Sequence, residues 1–246
     1  MAYRARYPTF SGFSSDFLPV GVKWLLIVNI GIFVPYFLLQ NTSYGREFWM
    51  LALVPEIVLR HLGVWQLVTY MFLHGSITHI LFNMLALYFF GTPLERDWGT
   101  RRFLRYYFLC GIGAALFDVV LNAMWGNWLV RTIGASGAIY GLLLAFGVLY
   151  PNQTVFMFFL FPLKAKYMVM IVGAIAFLSA AADAGSNISH IAHLGGMLFG
   201  YGYLKFRFVD FRWVRREYDA WKLRRAKRRF EVYMRKRDSD RGPWVN

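Results

Sequence analysis

Gly134-Ala135-Ser136-Gly137-Ala138-Ile139-Tyr140 is a small-residue turn that runs directly into an apolar stretch ending near Leu149, and its reading decides how the rest of the chain is understood. It sets one hydroxyl, Ser136, at the mouth of an apolar helix. A serine hydroxyl is a weak nucleophile at its own pKa, so chemistry there needs a base within hydrogen-bond reach and donors for the oxyanion that forms. Candidates for both lie at two other helix starts. Downstream, Ala192-His193-Leu194-Gly195-Gly196 opens an apolar run, and upstream His74, His79 and Asn83 open another.

The composition says where such a site would sit. Of 246 residues, 58% are hydrophobic, 20% aromatic and 16% charged, against about 25% charged in soluble domains. Runs of roughly 17 to 20 residues with little or no charge have the length a helix needs to cross about 30 Å of hydrocarbon. The expectation is an all-α integral membrane protein. The single cysteine, Cys110, falls within one such run and excludes an intramolecular disulfide. Pro8, Ser11, Gly12, Ser14, Ser15 and Asp16 interrupt any signal-peptide core, so the first span is expected to be an uncleaved anchor.

Six spans are expected, at about residues 22–39, 77–90, 103–121, 134–149, 167–182 and 188–204. Pro35 is expected to kink the first, and Gly91-Thr92-Pro93 to end the second. Residues 40–76, rich in Trp and Phe but broken by charge, suit an interfacial structured loop. Residues 95–102 read as a charged turn, and the short apolar segment 155–163 as a connection or extension. This divides the chain into an amino-terminal cytoplasmic segment (1–21), a six-span domain (22–204) and a basic cytoplasmic tail (205–246).

Charge sets the orientation. With the amino terminus inside, the inner segments hold 24 of the 27 Lys and Arg, and the outer ones hold only Arg46, Arg60 and Arg131. The positive-inside rule then puts both termini in the cytoplasm, in a cell inner or plasma membrane. The net charge of +14 does not argue for nucleic acid, because fifteen of the basic residues fall between Lys205 and Arg241. There Val214, Tyr218, Trp221 and Phe230 recur at near-helical spacing among arginines, as in a helix lying on an anionic cytoplasmic leaflet. In this topology spans two, four and six all start on the outer side. His79 and Asn83, Ser136, and His193 therefore share one depth. Small residues repeat every fourth position at Gly137, Gly141 and Ala145 and at Ala192, Gly196 and Gly200, the pattern that lets two membrane helices approach closely.

His74-Gly75-Ser76-Ile77-Thr78-His79-Ile80-Leu81-Phe82-Asn83, Glu95 with Gly99, Gly134-Ala135-Ser136-Gly137 with Tyr140, and Ala192-His193-Leu194-Gly195-Gly196 together resemble the rhomboid family of intramembrane serine proteases. The resemblance covers residues 22–204 and implies a six-transmembrane helix bundle. It implies that Ser136 is the nucleophile and His193 its general base, in a dyad without an acid. His79 and Asn83, with the Ser136 backbone amide, would form the oxyanion hole. Tyr140 would stack on His193, Gly134 would support the site, and Glu95 with Gly99 would serve structure. Where some bacterial relatives carry Trp-Arg in the first loop, this chain has Trp65-Gln66.

Other readings of the same residues stay open on sequence. Ser136 could cap its helix, His190 could replace His193 as base, and Asp118 or Asp183 could complete a triad. A zinc site from His74, His79 and His193 would lack the usual accompanying ligands, and no metal or cofactor is expected. The expected activity is cleavage of single-span or multi-span membrane proteins near the outer face. The alternative is a catalytically inert relative that binds membrane clients.

Overall fold

The computed structural model describes residues 18–157, 160–182 and 190–208. Asp183, residues 1–17 and the tail beyond Phe208 lie outside the described residues. The chain divides into two units, Met1–Leu204 and Lys205–Asn246.

Helix α1, Val20–Leu39, carries Pro35 within it and turns Trp24, Ile27, Ile30, Val34 and Leu38 outward. A continuous apolar outer face of this kind suits lipid rather than water. The first loop folds into short pieces: α2 (Ser43–Glu47), a 3₁₀ turn (Phe48–Leu51), α3 (Pro55–Arg60), α4 (Gln66–Thr69) and a second 3₁₀ turn (Tyr70–Phe72). Helix α5, Ile77–Ala86, begins with Ser76 as its cap, whose Oγ accepts the His79 amide at 3.1 Å.

The second span does not stop at Gly91-Thr92-Pro93. It passes through a π-helical turn, Leu87–Gly91, into α6, Thr92–Trp98, so that Ile77–Trp98 is one apolar helical stretch of 22 residues. Pro93 stands in the first turn of α6, where a missing N–H costs least, and the wider turn before it absorbs the broken hydrogen-bond ladder. The charged turn expected at residues 95–102 thus shrinks to Gly99, held at φ 77° between α6 and α7. Such an angle is open to glycine and strained for other residues.

Helix α7, Thr100–Met124, is the centre of the bundle, packed by α1, α3, α4, α6 and α8. It buries Phe103, Tyr106, Tyr107, Cys110 and Ala114. Helix α8 spans Ser136–Leu149. The connection expected at 155–163 carries strands: β1 (Thr154–Met157) and β2 (Phe161–Lys164) pair antiparallel, Val155 opposite Leu163. Helices α9, Ala165–Ala182, and α10, His190–Phe208, follow. Val20–Leu39, Ile77–Trp98 and Thr100–Met124 are long and apolar enough to cross a membrane, while Ser136–Leu149 and Ala165–Ala181 are apolar but shorter.

Glu95 explains how the start of α1 is held. Pro19 gives that helix no side-chain cap, and the buried Glu95 carboxylate takes its place. It accepts the Gly21 and Val22 amides at 2.7 Å each, and the Thr100 hydroxyl at 2.6 Å. A carboxylate at a helix amino terminus satisfies orphan donors and opposes the helix dipole.

Candidate active site

Helix α8 has Ala135 as its N-cap, and Ser136 is its first helical residue. The Ser136 hydroxyl is therefore free of the capping role. Its Oγ lies 2.8 Å from Nε2 of His193, on the first turn of α10. The two helices approach this closely because their facing residues have no side chains. A Cβ on Gly196 would overlap the Gly137 carbonyl, one on Gly141 would stand 3.2 Å from the Gly196 carbonyl, and one on Gly200 would stand 3.4 Å from the Gly141 Cα. The Tyr106 hydroxyl, from α7, donates to the Gly141 carbonyl at 2.8 Å and pins the crossing from behind.

The His193 ring is nearly buried and lies flat on Tyr140, with centroids 4.0 Å apart and an interplanar angle of 8°. Tyr140 is one turn along α8 from Ser136, so one helix supplies both the hydroxyl and the surface that orients the imidazole. Among the described residues Nδ1 of His193 has no hydrogen-bond partner. Nε2 can accept the serine proton only if the ring proton sits on Nδ1.

The second half of the site comes from α5. Gly134, at φ 118°, turns the chain so closely past this helix that a Cβ there would lie 2.6 Å from Nε2 of His79 and 3.7 Å from Nδ2 of Asn83. Those two nitrogens thus converge beside the segment that leads to Ser136. Nδ1 of His79 accepts a long bond from the Gly75 amide at 3.4 Å, which leaves Nε2 as the donor in the neutral ring. Nδ2 of Asn83 is buried without a partner among the described residues. A buried amide donor left open in this way is available to a developing negative charge.

The structure therefore brings together Ser136, His193, Tyr140, Gly134, His79 and Asn83. His190 is set apart, its ring 5.8 Å from that of His193 and edge-on to it. Asp118 accepts the Thr132 hydroxyl at 2.9 Å. His74 is fully buried, edge-on to His79 at 5.0 Å, and burial, then the charge of His79, pushes it down to about 3. Among the described residues no three His, Cys, Asp or Glu side chains are grouped to hold a metal ion.

Sequence reasoning missed two supports. Tyr70 accepts the Gly134 amide on its carbonyl at 2.8 Å and donates its hydroxyl to the Gly111 carbonyl at 2.7 Å. Its position between apolar Val68 and Met71, just before the His74 motif, was the only signal available. Gln66 is the other. It is fully buried, accepts the Val54 amide at 3.0 Å and donates to the Met50 carbonyl at 3.1 Å, a carbonyl that Trp65 Nε1 also reaches. A neutral glutamine thus ties the first loop together at the position where an arginine was missed.

A family model described as the Rhomboid domain matches residues 61–209. The chain is 30% identical over 190 residues to RHOMBOID-like protein 12, mitochondrial, of Arabidopsis thaliana, covering 71% of this chain and 54% of that protein. It is 35% identical over 137 residues to Rhomboid protease GluP of Bacillus subtilis, covering 56% of this chain and 25% of that protein. It is 28% identical over 196 residues to Rhomboid protease AarA of Providencia stuartii, covering 72% and 68%. The chain thus spans about half or less of the first two relatives. The matched region contains all three helix starts that converge at Ser136, and the chain belongs to the rhomboid family.

Proposed function

We propose that this chain is an intramembrane serine endopeptidase that cuts the transmembrane segments of other membrane proteins near the outer face. The observation that carries the reading is the 2.8 Å contact between Ser136 Oγ and His193 Nε2, with the imidazole fixed against Tyr140. That distance is within the range for proton transfer from nucleophile to base.

Each step has a group in reach. His193 takes the Ser136 proton as the hydroxyl adds to the scissile carbonyl, giving a tetrahedral oxyanion and an imidazolium. His79 Nε2, Asn83 Nδ2 and the Ser136 amide, which the helix start leaves without an intrahelical partner, donate to that oxyanion. Collapse expels the amine with the proton from His193 and leaves an acyl-serine. Water, deprotonated by the same ring, then hydrolyses the ester. A peptide bond in an intact helix is hydrogen-bonded and shielded, so the substrate helix must open before it can be attacked. The reading therefore favours spans with Gly or Pro near their outer boundary, since these cost a helix about 1 and 3 kcal/mol relative to Ala.

The test is cleavage of a single-span reporter in liposomes, run beside labelling with a serine-directed fluorophosphonate. Ser136→Ala and His193→Ala are expected to lower the rate by more than about 10⁴-fold, and His190→Ala to leave most of it. Native-like cutting by Ser136→Ala would end the protease reading.

A further inference from the structure

Away from the proposed site, α7 and α10 pack together and leave an apolar groove of about 820 Å³ along their outer surface. Arg101, Arg105, Ile112 and Leu116 line it from α7, and Phe199 and Tyr203 from α10. The α7 residues recur at three- and four-residue intervals with Leu109, so they form one stripe along the helix. Phe199 seats directly on α7 at Gly113, where any Cβ would overlap its ring.

Charge and length together identify an occupant. Both arginines sit at one end, at the start of α7, and both are exposed. Among the described residues neither has an acidic partner; the ion pair there is Arg60 with Glu56, in the first loop. From Arg105 to Leu116 the helix rises by about 16 Å at 1.5 Å per residue. That is one leaflet of a hydrocarbon core about 30 Å thick. The groove thus offers, at headgroup level, two cations with no acidic partner among the described residues, and an apolar channel as long as one acyl chain.

We propose that this groove is a binding site for a glycerophospholipid with an anionic headgroup, its phosphate held between Arg101 and Arg105 and one acyl chain laid along α7 against Phe199. The proposal rests on the membrane placement of the chain and is independent of peptide cleavage. Such a lipid would add to the contacts that Tyr106 makes with Tyr203 and that Gly113 makes with Phe199, bracing α10, the helix that carries His193, against α7.

Native mass spectrometry of the full chain, released from detergent micelles containing equal palmitoyl-oleoyl phosphatidylglycerol and phosphatidylcholine, tests it. The native protein is expected to retain one phosphatidylglycerol in preference to phosphatidylcholine by on the order of tenfold or more. Arg101→Gln with Arg105→Gln is expected to abolish the preference, and Leu116→Trp to lower retention of both lipids. Lys164→Gln with Lys166→Gln removes two other basic residues and is expected to leave the preference intact. Equal retention of the two lipids by the native protein overturns the proposal. A loss with the lysine pair as large as with the arginine pair also overturns it, since attraction is then diffuse. A dimer of chains abolished by the arginine substitutions would assign the groove to a second copy instead.

Discussion

Gly134 shows how narrow the tolerance at the proposed site is. Its φ of 118° is strained for any residue with a side chain, and a single added methyl would press on Nε2 of His79. Gly134→Ala is therefore expected to displace the oxyanion donor and lower kcat by about 10²-fold or more, with fluorophosphonate labelling of Ser136 less affected than peptide cleavage. Comparable kcat in native and variant protein would remove Gly134 from the site. His74 gives a pH effect of definite sign. Its folded pKa is pushed down to about 3, below the usual value near 6.5, so the unfolded chain binds the proton that the folded chain refuses. Stability is then complete above about pH 6.5 and falls as pH drops toward 3, by up to roughly 1.4 kcal/mol per pH unit. His74→Phe keeps a buried ring without the proton site, and the loss of Tm between pH 7 and pH 4.5 is expected to be smaller than in the native protein. The proposed reacting groups stand out in the sequence because each is a polar residue at an apolar helix start, although capping by Ser136 and a base role for His190 stayed open there. Gln66 and Tyr70 do not, because their value lies in backbone groups of residues distant in sequence, Met50, Val54, Gly111 and Gly134, that periodicity does not connect.

The helices differ in what defines their ends. Helix α1 starts where a carboxylate from another helix meets its amides, so its beginning depends on Glu95 rather than on its own sequence. Glu95→Gln keeps the shape but turns a donor toward one of two amide donors. Loss of one such buried bond costs about 1 to 3 kcal/mol, and a lower Tm in detergent with no change in KM for a reporter is the expected result. The α8–α10 crossing should respond differently. Gly196→Ala forces the Gly137 carbonyl away and with it the two ends of the Ser136–His193 pair, so activity is expected to fall far more than Tm does. The three helices long and apolar enough to span, Val20–Leu39, Ile77–Trp98 and Thr100–Met124, were readable because apolar length is a direct demand of the bilayer. Two features were not. Gly91-Thr92-Pro93 carries the signals of a helix end, yet the π turn before it lets the helix continue to Trp98. Segment 155–163 is the connection that Pro162 and the nearby lysines suggested, but the antiparallel pairing of its strands, Thr154 opposite Lys164, was not legible.

Across the whole molecule the basic residues are unequal in number, and cations at both ends make contacts with aromatic rings. Of the three arginines at the outer end in the proposed orientation, Arg60 lies over the Trp128 ring at 4.3 Å and pairs with Glu56, and Arg131 lies over Trp49 at 5.2 Å. These cations are held by the first loop and the α7–α8 connection. The proposed inner end has Arg101 and Arg105, exposed and unpaired among the described residues, and Lys164 at the hairpin. At the proposed inner end, too, Arg102 lies over the Trp98 ring at 4.8 Å and Lys166 over Tyr167 at 4.9 Å, so it is the count that favours this orientation, with Ser136 near the outer surface. Cys110 is fully buried, which lets the native chain serve as its own unlabelled background. In sealed right-side-out vesicles, Arg131→Cys is expected to react with a membrane-impermeant maleimide directly, and Lys164→Cys only after permeabilisation. Neither substitution weakens the charge bias enough to invert the chain, since one removes an outer cation and the other one of 24 inner ones. The reverse labelling pattern would place Ser136 at the cytoplasmic side, and substrates would then have to present their weak helical ends from the opposite leaflet.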